Sequence, residues 1–414
     1  MVIKMNKKIS FIGLGKLGLP LACCLAEAGR EILCVDKNEL VLDKLSKGEL
    51  PFYEPGLEDL LSKANKNILG YTDSYAQAIK ETDTSIILVN TQLGNDGYAA
   101  DFVEQALSDI AINLRNSDKE YHLIILSSTV LPGTIKKKLI PLVEKISGKN
   151  YKEGFGFSYV PDFVKLGTVI SDFKNPEFFM IGSNYEKDTK ITKEVFSNLH
   201  QNVSPSYVIT LEEAEVSKVA LNAFVVNKIT FANFLGRLCD GYENVDVNKV
   251  TAVIGNDKRI SPHFFKSGAP YGGTCFPRDA WAFIKFAKDR GKQADNLIFA
   301  EKVNQMVHEE ILQKVKSYKK IGVLGISFKP NSPVTIGSPS VKVLEELISN
   351  GKEVHAYDFL SESLGDLEEE VCICQSAQEC VDKTEVTILM HFDSRFSKLD
   401  FGEKDKVDVW GILK

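Results

Sequence analysis

The chain has 414 residues, of which 44% are hydrophobic and 26% charged, and its formal net charge is −6. This length predicts two or three domains, and the acidic balance argues against a broad nucleic-acid-binding surface. The start lacks the features of a signal peptide, and no run approaches the roughly 18 apolar residues of a membrane span, so we expect a cytoplasmic protein with no membrane partner. Eight cysteines in such a chain indicate free thiols rather than a disulfide framework.

The first third predicts a dinucleotide-binding unit. Residues 7–36 have the pattern of a strand, a glycine-rich turn, a helix and a second strand, and the turn holds the three glycines of a GxGxxG motif: Gly13, Gly15 and Gly18. Such glycines permit the turn, let backbone amides reach a pyrophosphate and allow close helix packing. Asp36 can accept the ribose hydroxyls and favours NAD over NADP, although Lys37 weakens that preference. A structural turn that binds nothing is the alternative.

Two further apolar strands are predicted at 84–89 and 122–126. Continuous apolar runs are typical of parallel strands that are covered on both faces. Ligands of open α/β sheets bind at the carboxyl ends of the strands, which places Thr91 and Thr129 near the cofactor or the reacting group. Simple helix capping by these hydroxyls is an equally good explanation.

A long helix is predicted from Glu212 to about Asp240, because apolar residues recur there at helical spacing without a proline. Lys218 and Asn222 lie four positions apart and project from one face. Together they could hold an oxyanion or polarise a hydroxyl. A solvated lysine beside a polar neighbour is the alternative. The length suggests that the helix links domains and offers a dimer face.

The stretch 271–279, YGGTCFPRD, places Cys275 after two glycines. A cysteine there is either a nucleophile or a small buried hydrophobe in a tight turn. Cys372, Cys374 and Cys380 also cluster, but their spacing matches no CxxC zinc pattern, so we expect structural cysteines and no metal site.

The last third repeats the strand, helix and strand pattern over residues 319–358, and another apolar strand follows at 385–390. Its first turn, at 327–331, lacks the glycine motif and favours a different nucleotide or a phosphate, with Lys329 as the charge. The predicted fold class is α/β, with two Rossmann-like doubly wound parallel-sheet domains joined by a long central helix. The predicted domains are 1–205 (NAD binding), 206–300 (helical linker, dimerisation and cysteine loop) and 301–414 (the second Rossmann-like unit, to which the family resemblance described next assigns nucleotide-sugar binding).

Seven stretches in this order resemble the nucleotide-sugar dehydrogenase family, most closely its UDP-glucose 6-dehydrogenase branch. They are GLGKLGLP at Gly13, FYEPGL at Phe52, SSTVLPGT at Ser127, PDFVKLG at Pro161, the Lys218/Asn222 helix, YGGTCFPRD at Tyr271 and GISFKPN at Gly325. The resemblance implies a homodimer or higher homo-oligomer that uses NAD to oxidise the C6 alcohol of a UDP-sugar, UDP-glucose, to a carboxylate in a four-electron reaction.

By the same resemblance, Cys275 attacks the aldehyde to give a thiohemiacetal and then a thioester, which water hydrolyses. Lys218 and Asn222 would hold the reacting oxygen, Asp279 would assist proton handling, Thr129 would order the water and Asp162 would activate it. The implied cofactor-binding residues are Gly13, Gly15, Lys16, Leu17, Gly18, Asp36, Lys37, Thr91, Thr129 and Arg278. The implied substrate-binding residues are Phe163, Lys165, Lys218, Asn222, Arg259, Phe264, Lys266, Gly272, Phe328 and Lys329, with Arg259 acting across a dimer interface.

Three positions depart from the family pattern. Asp162 replaces a glutamate and is one methylene shorter, and Leu166 replaces a second glutamate. Ile336 stands where the family has an arginine, which can bind phosphate bidentately. These departures concern thioester hydrolysis and recognition of the nucleotide and the sugar, whereas the residues for covalent capture by Cys275 match the family.

Two other classes compete with this interpretation. One is a two-electron hydroxyacid-type dehydrogenase, which has no need of the Cys275 stretch or of a second Rossmann unit. The other is a nucleotide-sugar-binding homologue with impaired hydrolysis, suggested by Leu166 and Ile336. A dehydrogenase of a different nucleotide sugar is the nearest alternative within the family.

Overall fold

The computed structural model describes residues 8–94, 97–360 and 371–413, and the chain divides into two compact units, Met1–Val219 and Ala220–Lys414. The first residues, on which the expectation of no signal peptide rests, lie outside the described part. Each unit contains a sheet of parallel strands with helices, so the predicted α/β fold class is confirmed. The three-domain division with boundaries near 205 and 300 stays a prediction.

Among its described residues, the first unit contains ten strands, eight complete α-helices and the start of a ninth. The strands are β1 (Lys8–Ile12), β2 (Glu31–Val35), β3 (Ile68–Thr72), β4 (Thr84–Ile87), β5 (Gln92–Gly94), β6 (Gly97–Ala99), β7 (His122–Leu126), β8 (Phe155–Tyr159), β9 (Phe179–Ser183) and β10 (Ser206–Ile209). The helices are α1 (Gly18–Glu27), α2 (Glu39–Ser46), α3 (Leu57–Ala64), α4 (Tyr75–Glu81), α5 (Asp101–Arg115), α6 (Ile140–Ser147), α7 (Val169–Lys174), α8 (Glu186–Val195) and α9 (Leu211–Cys239).

The main sheet of this unit has the order β10-β9-β8-β7-β4-β1-β2-β3, and β5 and β6 form a separate antiparallel pair. Strands β3, β2, β1, β4, β7 and β8 run parallel, in the arrangement of a Rossmann sheet. Sequence patterning did not predict that β9 then pairs with β8 in the antiparallel direction. Every residue of β4 and β7 is buried because an apolar cluster packs on each face of the sheet.

The second unit contains a five-stranded, wholly parallel sheet in the order β13-β12-β11-β14-β15. Its strands are β11 (Lys320–Leu324), β12 (Glu353–Tyr357), β13 (Cys372–Ile373), β14 (Val386–Leu389) and β15 (Asp405–Asp408). Its helices are α10 (Val247–Gly255), α11 (Phe276–Lys288), α12 (Asp295–Val315), α13 (Pro339–Ser349) and α14 (Ala377–Lys383). The strand order, numbered within the unit, is 3-2-1-4-5, so the predicted second Rossmann-like unit is confirmed.

The predicted elements lie within one or two residues of the observed ones. Strand β4 ends at Ile87, and β11 ends at Leu324 because Gly325 turns the chain with φ +88°. In the first unit, α1 begins at Gly18, the last glycine of the predicted motif. Despite these differences, the glycine turn and the carboxyl ends of the predicted strands lie where the sequence indicated.

Helix α9 has 29 residues and contains the boundary between the two units. It begins with a capping box: the Thr210 hydroxyl accepts from the Glu213 amide at 3.2 Å, and the Thr210 amide donates to the Glu213 carboxylate at 2.7 Å. In the described ranges α9 is the one helix long and apolar enough to cross a membrane. However, its buried Glu215 and Lys218 both bind protein backbone, so the start of α9 packs against protein.

Candidate functional site

The glycine turn after β1 has the geometry that a dinucleotide needs. A Cβ on Gly13, where φ is +98°, would lie 2.3 Å from the Leu88 carbonyl oxygen, and a Cβ on Gly18 would lie 1.9 Å from the Gly13 oxygen. Nothing lies within 4 Å of the corresponding point on Gly15, which is exposed. Gly13 and Gly18 are thus required by packing, whereas Gly15 leaves backbone accessible to a phosphate.

Asp36 closes this turn. Its Oδ2 accepts from the Leu14 amide at 2.6 Å and its Oδ1 accepts from the Asn38 amide at 2.8 Å. Lys37 Nζ lies 2.7 Å from the carboxylate of Asp109 in an exposed ion pair. The predicted preference for NAD over NADP therefore rests on Asp36, whose carboxylate would repel a 2′-phosphate. The exposed Lys16 and the half-buried Leu17 lie at the start of α1, beside the turn.

Thr91 and Thr129 follow adjacent strands, because β4 pairs in parallel with β7 and Ile87 lies opposite Leu126. Both threonines are buried. The loop after β7 is fastened to the loop after β4 by Ser128, whose hydroxyl accepts from the Val89 amide at 2.9 Å and donates to the Val89 oxygen at 2.8 Å. The two loops therefore meet at the carboxyl edge of the sheet, where a Rossmann sheet binds its ligand.

Asp162 and Lys218 are brought together in the first unit. Lys218 Nζ donates to the main-chain oxygen of Asp162 and lies 4.6 Å from the ring centre of Phe163. Burial raises the pKa of Asp162 to about 7, although Lys218 opposes the shift. Lys165 is exposed, with its Nζ 4.0 Å from Asp172. A carboxyl group that titrates near neutral pH is suited to accept a proton from water.

Two buried glutamates, which the sequence analysis did not single out, bind backbone amides of the loops that follow Asp162 and Thr129. Glu54 accepts from the amides of Gly167 and Val169, each at 3.0 Å. Glu215 accepts from the amides of Gly133 and Ile135 at 2.7 and 2.8 Å. Glu54 lies in one of the seven family stretches, and Glu215 lies one helical turn before Lys218.

In the second unit, Cys275 immediately precedes α11 and its side chain is exposed. Asp279, one turn later, is fully buried and accepts from Asn222 Nδ2 at 2.5 Å and from Arg278 Nε at 3.1 Å. Its amide also donates to the Cys275 oxygen at 2.8 Å. Asn222 of α9 is thus tied to the first turn of the helix that presents the thiol.

The glycines before Cys275 pack against the second Rossmann-like sheet's loops. The Gly273 amide donates to the Gly337 oxygen at 2.8 Å, and a Cβ on Gly272 would lie 2.4 Å from that same oxygen. A Cβ on Gly273 would lie 2.9 Å from the ring of Phe328. The cysteine loop, Phe328 and the turn containing Ile336 therefore form one structural group within the second unit.

Phe264 has a positive φ of 58° and packs edge-on against Phe276, with 5.7 Å between ring centres. The loop before it is held by Lys228 of α9, whose Nζ donates to the oxygens of Ile260, Ser261 and His263 at 3.0, 3.1 and 2.7 Å. The loop contact of Lys228 was not predicted from the sequence.

The remaining predicted substrate contacts are made by three basic residues, each of which has a neighbour within the chain. Arg259 is exposed and forms two hydrogen bonds with the Asp257 carboxylate, at 2.9 and 2.6 Å. Lys266 lies 3.5 Å from the ring centre of Phe392, and Lys329 lies 5.6 Å from that of Phe328. Their assignment as substrate contacts stays a prediction.

Three family models match the chain in order. They describe the UDP-glucose/GDP-mannose dehydrogenase family's NAD-binding domain (residues 7–200), central domain (212–306) and UDP-binding domain (322–413). The chain belongs to the UDP-glucose/GDP-mannose dehydrogenase family. The predicted resemblance and the predicted NAD cofactor are thereby confirmed.

Curated relatives within this family act on different sugars. A UDP-glucose 6-dehydrogenase of Haloferax volcanii is 30% identical over 95% of this chain and 93% of its own length. A GDP-mannose 6-dehydrogenase of Pseudomonas putida is 32% identical over 85% of this chain and 80% of its own length. The solved UDP-glucose dehydrogenase of Pyrobaculum islandicum, 29% identical, matches 98% of this chain and 94% of its own with a TM-score of 0.90. The chain is therefore a nucleotide-sugar dehydrogenase.

Proposed function

We propose that the chain oxidises the C6 alcohol of UDP-glucose to the carboxylate in a four-electron reaction that passes through a thioester on Cys275. The observation that carries this proposal is the exposed Cys275 thiol one turn before the buried Asp279, which Asn222 binds at 2.5 Å. A two-electron oxidation of an alcohol has no use for a nucleophile, whereas retention of an aldehyde requires one.

Bound NAD supplies the acceptor for the hydride that leaves the sugar in each oxidation. The chain's own residues would bind and orient both molecules: the amides around Gly15 would hold the pyrophosphate, and the Asp36 carboxylate would accept from the ribose. Lys218 and Asn222, four residues apart on α9, hold the reacting oxygen. Cys275 adds its sulfur to the aldehyde carbon while the aldehyde oxygen takes up a proton, and the resulting thiohemiacetal becomes the thioester when its carbon loses the second hydride and its hydroxyl releases the proton.

Hydrolysis returns the free thiol: water adds to the thioester carbon, the C–S bond breaks, and Asp162 accepts the proton. The pKa of Asp162 near 7 supports this role despite its shorter side chain. Leu166 contributes no second carboxylate. Oxidation of another nucleotide sugar by the same route is the second candidate, favoured by the exposed Ile336 beside Gly337 and by relatives that act on GDP-mannose.

The proposal includes a cytoplasmic homodimer. All eight cysteines are free thiols, which suits a reducing compartment. Helix α9 exposes Phe224, Phe231 and Leu238 along one side, which suits contact with a second copy. Neither nucleic acid nor a membrane is part of the proposed reaction.

A stoichiometric assay tests the chemistry. Purified protein is mixed with NAD and, in parallel, with UDP-glucose, a UDP-N-acetylhexosamine or GDP-mannose, and NADH and carboxylate are counted per sugar consumed. We expect two NADH and one carboxylate per UDP-glucose. One NADH per sugar contradicts the four-electron reaction, and turnover of a different sugar alone contradicts the substrate.

Cys275→Ala provides the matched control for the nucleophile. The variant should bind NAD with unchanged affinity and form no carboxylate, because α11 and the glycine turn stay intact. Intact-mass spectrometry of the wild-type protein during turnover should detect a sugar nucleotide on the chain that is lost in Cys275→Ala. Carboxylate formation by the variant at the wild-type rate would remove Cys275 from the mechanism.

A further inference from the structure

Glu215 is a buried carboxylate that the proposed reaction does not use directly. Its side chain is 0% exposed, and its two oxygens separately accept from the Gly133 and Ile135 amides at 2.7 and 2.8 Å. These amides begin the helical segment that leads into α6, so the carboxylate satisfies donors that a helix start leaves open. If the loop before this helical segment held no functional residue, helix capping would be a sufficient explanation of the contact.

The loop does contain a residue with a predicted role in the reaction, Thr129, which would order the hydrolytic water. Thr129 lies between two attachments: Ser128, which is bonded to Val89 on one side, and the Glu215 clamp on the other. Thr129 is 8% exposed, so its hydroxyl has little freedom to move independently of the loop. The clamp originates one turn before Lys218 on the same helix. One rigid element therefore sets the position of both the loop and the amine.

We propose that Glu215 is a positioning residue that holds Thr129 at a fixed position relative to Lys218 for hydrolysis of the Cys275 thioester. The inference rests on the proposed function. In that step the water oxygen bonds to the acyl carbon, the C–S bond breaks, one proton passes to Asp162 and the sulfur leaves as the thiolate, to be protonated later. An ordered water requires a fixed Thr129 hydroxyl, whereas the preceding attack by sulfur does not.

The test compares Glu215→Gln, Thr129→Ala and the double variant in the full chain, with Glu212→Gln as the control. Glu212 lies one turn before Glu215 on α9 and pairs at the surface with Lys136 at 2.7 Å. Rapid mixing with NAD and the nucleotide sugar measures the NADH formed in the first turnover and the steady rate. Intact mass measures the acyl adduct on Cys275.

For Glu215→Gln we expect an undiminished first-turnover burst, an accumulated adduct and a steady rate lower by on the order of tenfold to a hundredfold. The double variant should be no slower than Thr129→Ala, because the clamp acts through Thr129. Glu212→Gln should behave as wild type.

A purely structural role predicts a different result: the burst and the steady rate fall in the same proportion, and the effects of Glu215→Gln and Thr129→Ala multiply. Either finding overturns the inference while leaving the proposed function standing. A wild-type protein that gives no NADH with any nucleotide sugar overturns the proposed function and the inference with it. If Glu215→Gln does not fold, Glu215→Asp replaces it, and an unchanged ratio of burst to steady rate in that variant counts against the clamp.

Discussion

Lys218 donates to the main-chain oxygen of Asp162, while the Asp162 carboxylate oxygen Oδ2 is buried without a hydrogen-bond partner in the described part of the chain. The amine is therefore bound to backbone, while its charge opposes the rise in the pKa of the carboxylate. The unpartnered oxygen loses hydration without a compensating bond, which is why burial raises the pKa of Asp162 to about 7. In the proposed reaction, binding of the reacting oxygen and activation of water therefore fall to two neighbouring groups.

Carboxylate formation should consequently depend on pH. If Asp162 accepts the proton from water, it must be ionised, so the rate of thioester hydrolysis should rise through a pH of about 7 and level off above it. Single-turnover experiments that follow the loss of the acyl adduct measure this rate separately from the oxidations. Asp162→Asn should abolish the rise and slow hydrolysis by about 10²–10⁴-fold. A variant that keeps the wild-type profile would exclude Asp162 as the base.

Titration of Asp162 should also affect protein stability, which should fall with rising pH, whereas the rate of hydrolysis should rise. Because the folded-state pKa lies above the ordinary value of 3.8, the folded chain retains a proton that the unfolded chain releases. The free energy of unfolding should therefore fall as pH rises from about 4 to about 7. Glu215, whose pKa burial raises to about 7, adds to this slope. Urea titrations at several pH values in this range measure the free energy of unfolding. Its dependence on pH should be weaker in Asp162→Asn than in wild type, and an equal dependence would contradict the assignment.

The hydrogen bond between Asn222 and Asp279 should matter for both stability and activity. Asn222→Ala removes a donor from a fully buried carboxylate, and we expect a loss of about 1–3 kcal/mol in the free energy of unfolding. Asn222→Asp should be worse, because it places a second carboxylate beside the first. Urea unfolding measures these losses, and NADH formation should fall in both variants while NAD affinity is retained. An Asn222→Asp variant more stable than Asn222→Ala would contradict this account.

Sequence patterning located the glycine turn and the central strands of both sheets, because local period and turn chemistry determine them; these strands are β1, β2, β4 and β7 in the first sheet and β11, β12 and β14 in the second. It did not locate Glu54, Glu215 or the loop contact of Lys228. Glu215 binds amides 82 and 80 positions away, and Glu54 binds amides 113 and 115 positions away. A buried glutamate that binds distant backbone produces no periodic signal and looks like any surface acid. The antiparallel pairing of β9 also depends on tertiary packing, not on its own composition.

The three glycines of the nucleotide turn should respond differently to alanine. Gly13→Ala and Gly18→Ala would place a Cβ 2.3 and 1.9 Å from backbone oxygens, so the turn must shift. Both should lose NAD binding and some stability. Gly15→Ala meets no protein atom within 4 Å, so it should fold as wild type and lose affinity for NAD alone. Calorimetric NAD titration and thermal unfolding of each variant separate these outcomes. A Gly15→Ala variant with full NAD affinity would contradict the assignment of this backbone to the pyrophosphate.

Ile336 is 70% exposed and precedes Gly337, whose oxygen binds the Gly273 amide of the cysteine loop. An arginine at this position could bind a phosphate oxygen pair, which isoleucine cannot. Ile336→Arg should therefore lower KM for the nucleotide sugar, with little change in kcat and none in NAD affinity. Ile336→Leu is the matched control and should behave as wild type. A higher KM in Ile336→Arg would show that the exposed isoleucine itself suits the natural substrate.

Lys228 should control substrate affinity from outside the reacting centre. Its amine donates to three carbonyl oxygens of a loop in which Ser261 and Phe264 both have positive φ, a conformation that non-glycine residues adopt only when neighbouring contacts hold them. Phe264 in turn packs against Phe276, the residue after the Cys275 thiol. Lys228→Met keeps the length of the side chain and removes all three bonds, so the loop should relax and Phe264 should leave its position.

We expect Lys228→Met to raise KM for the nucleotide sugar and to lower the free energy of unfolding by about 1.5–3 kcal/mol, the range for hydrogen bonds to a charged group. NAD affinity should not change, because the glycine turn belongs to the first unit. Lys228→Arg, which retains a charged donor, should recover part of the affinity. Steady-state kinetics with each substrate varied in turn separates the two effects. If KM for NAD rises together with KM for the sugar, the damage is general and Lys228 does not act through Phe264.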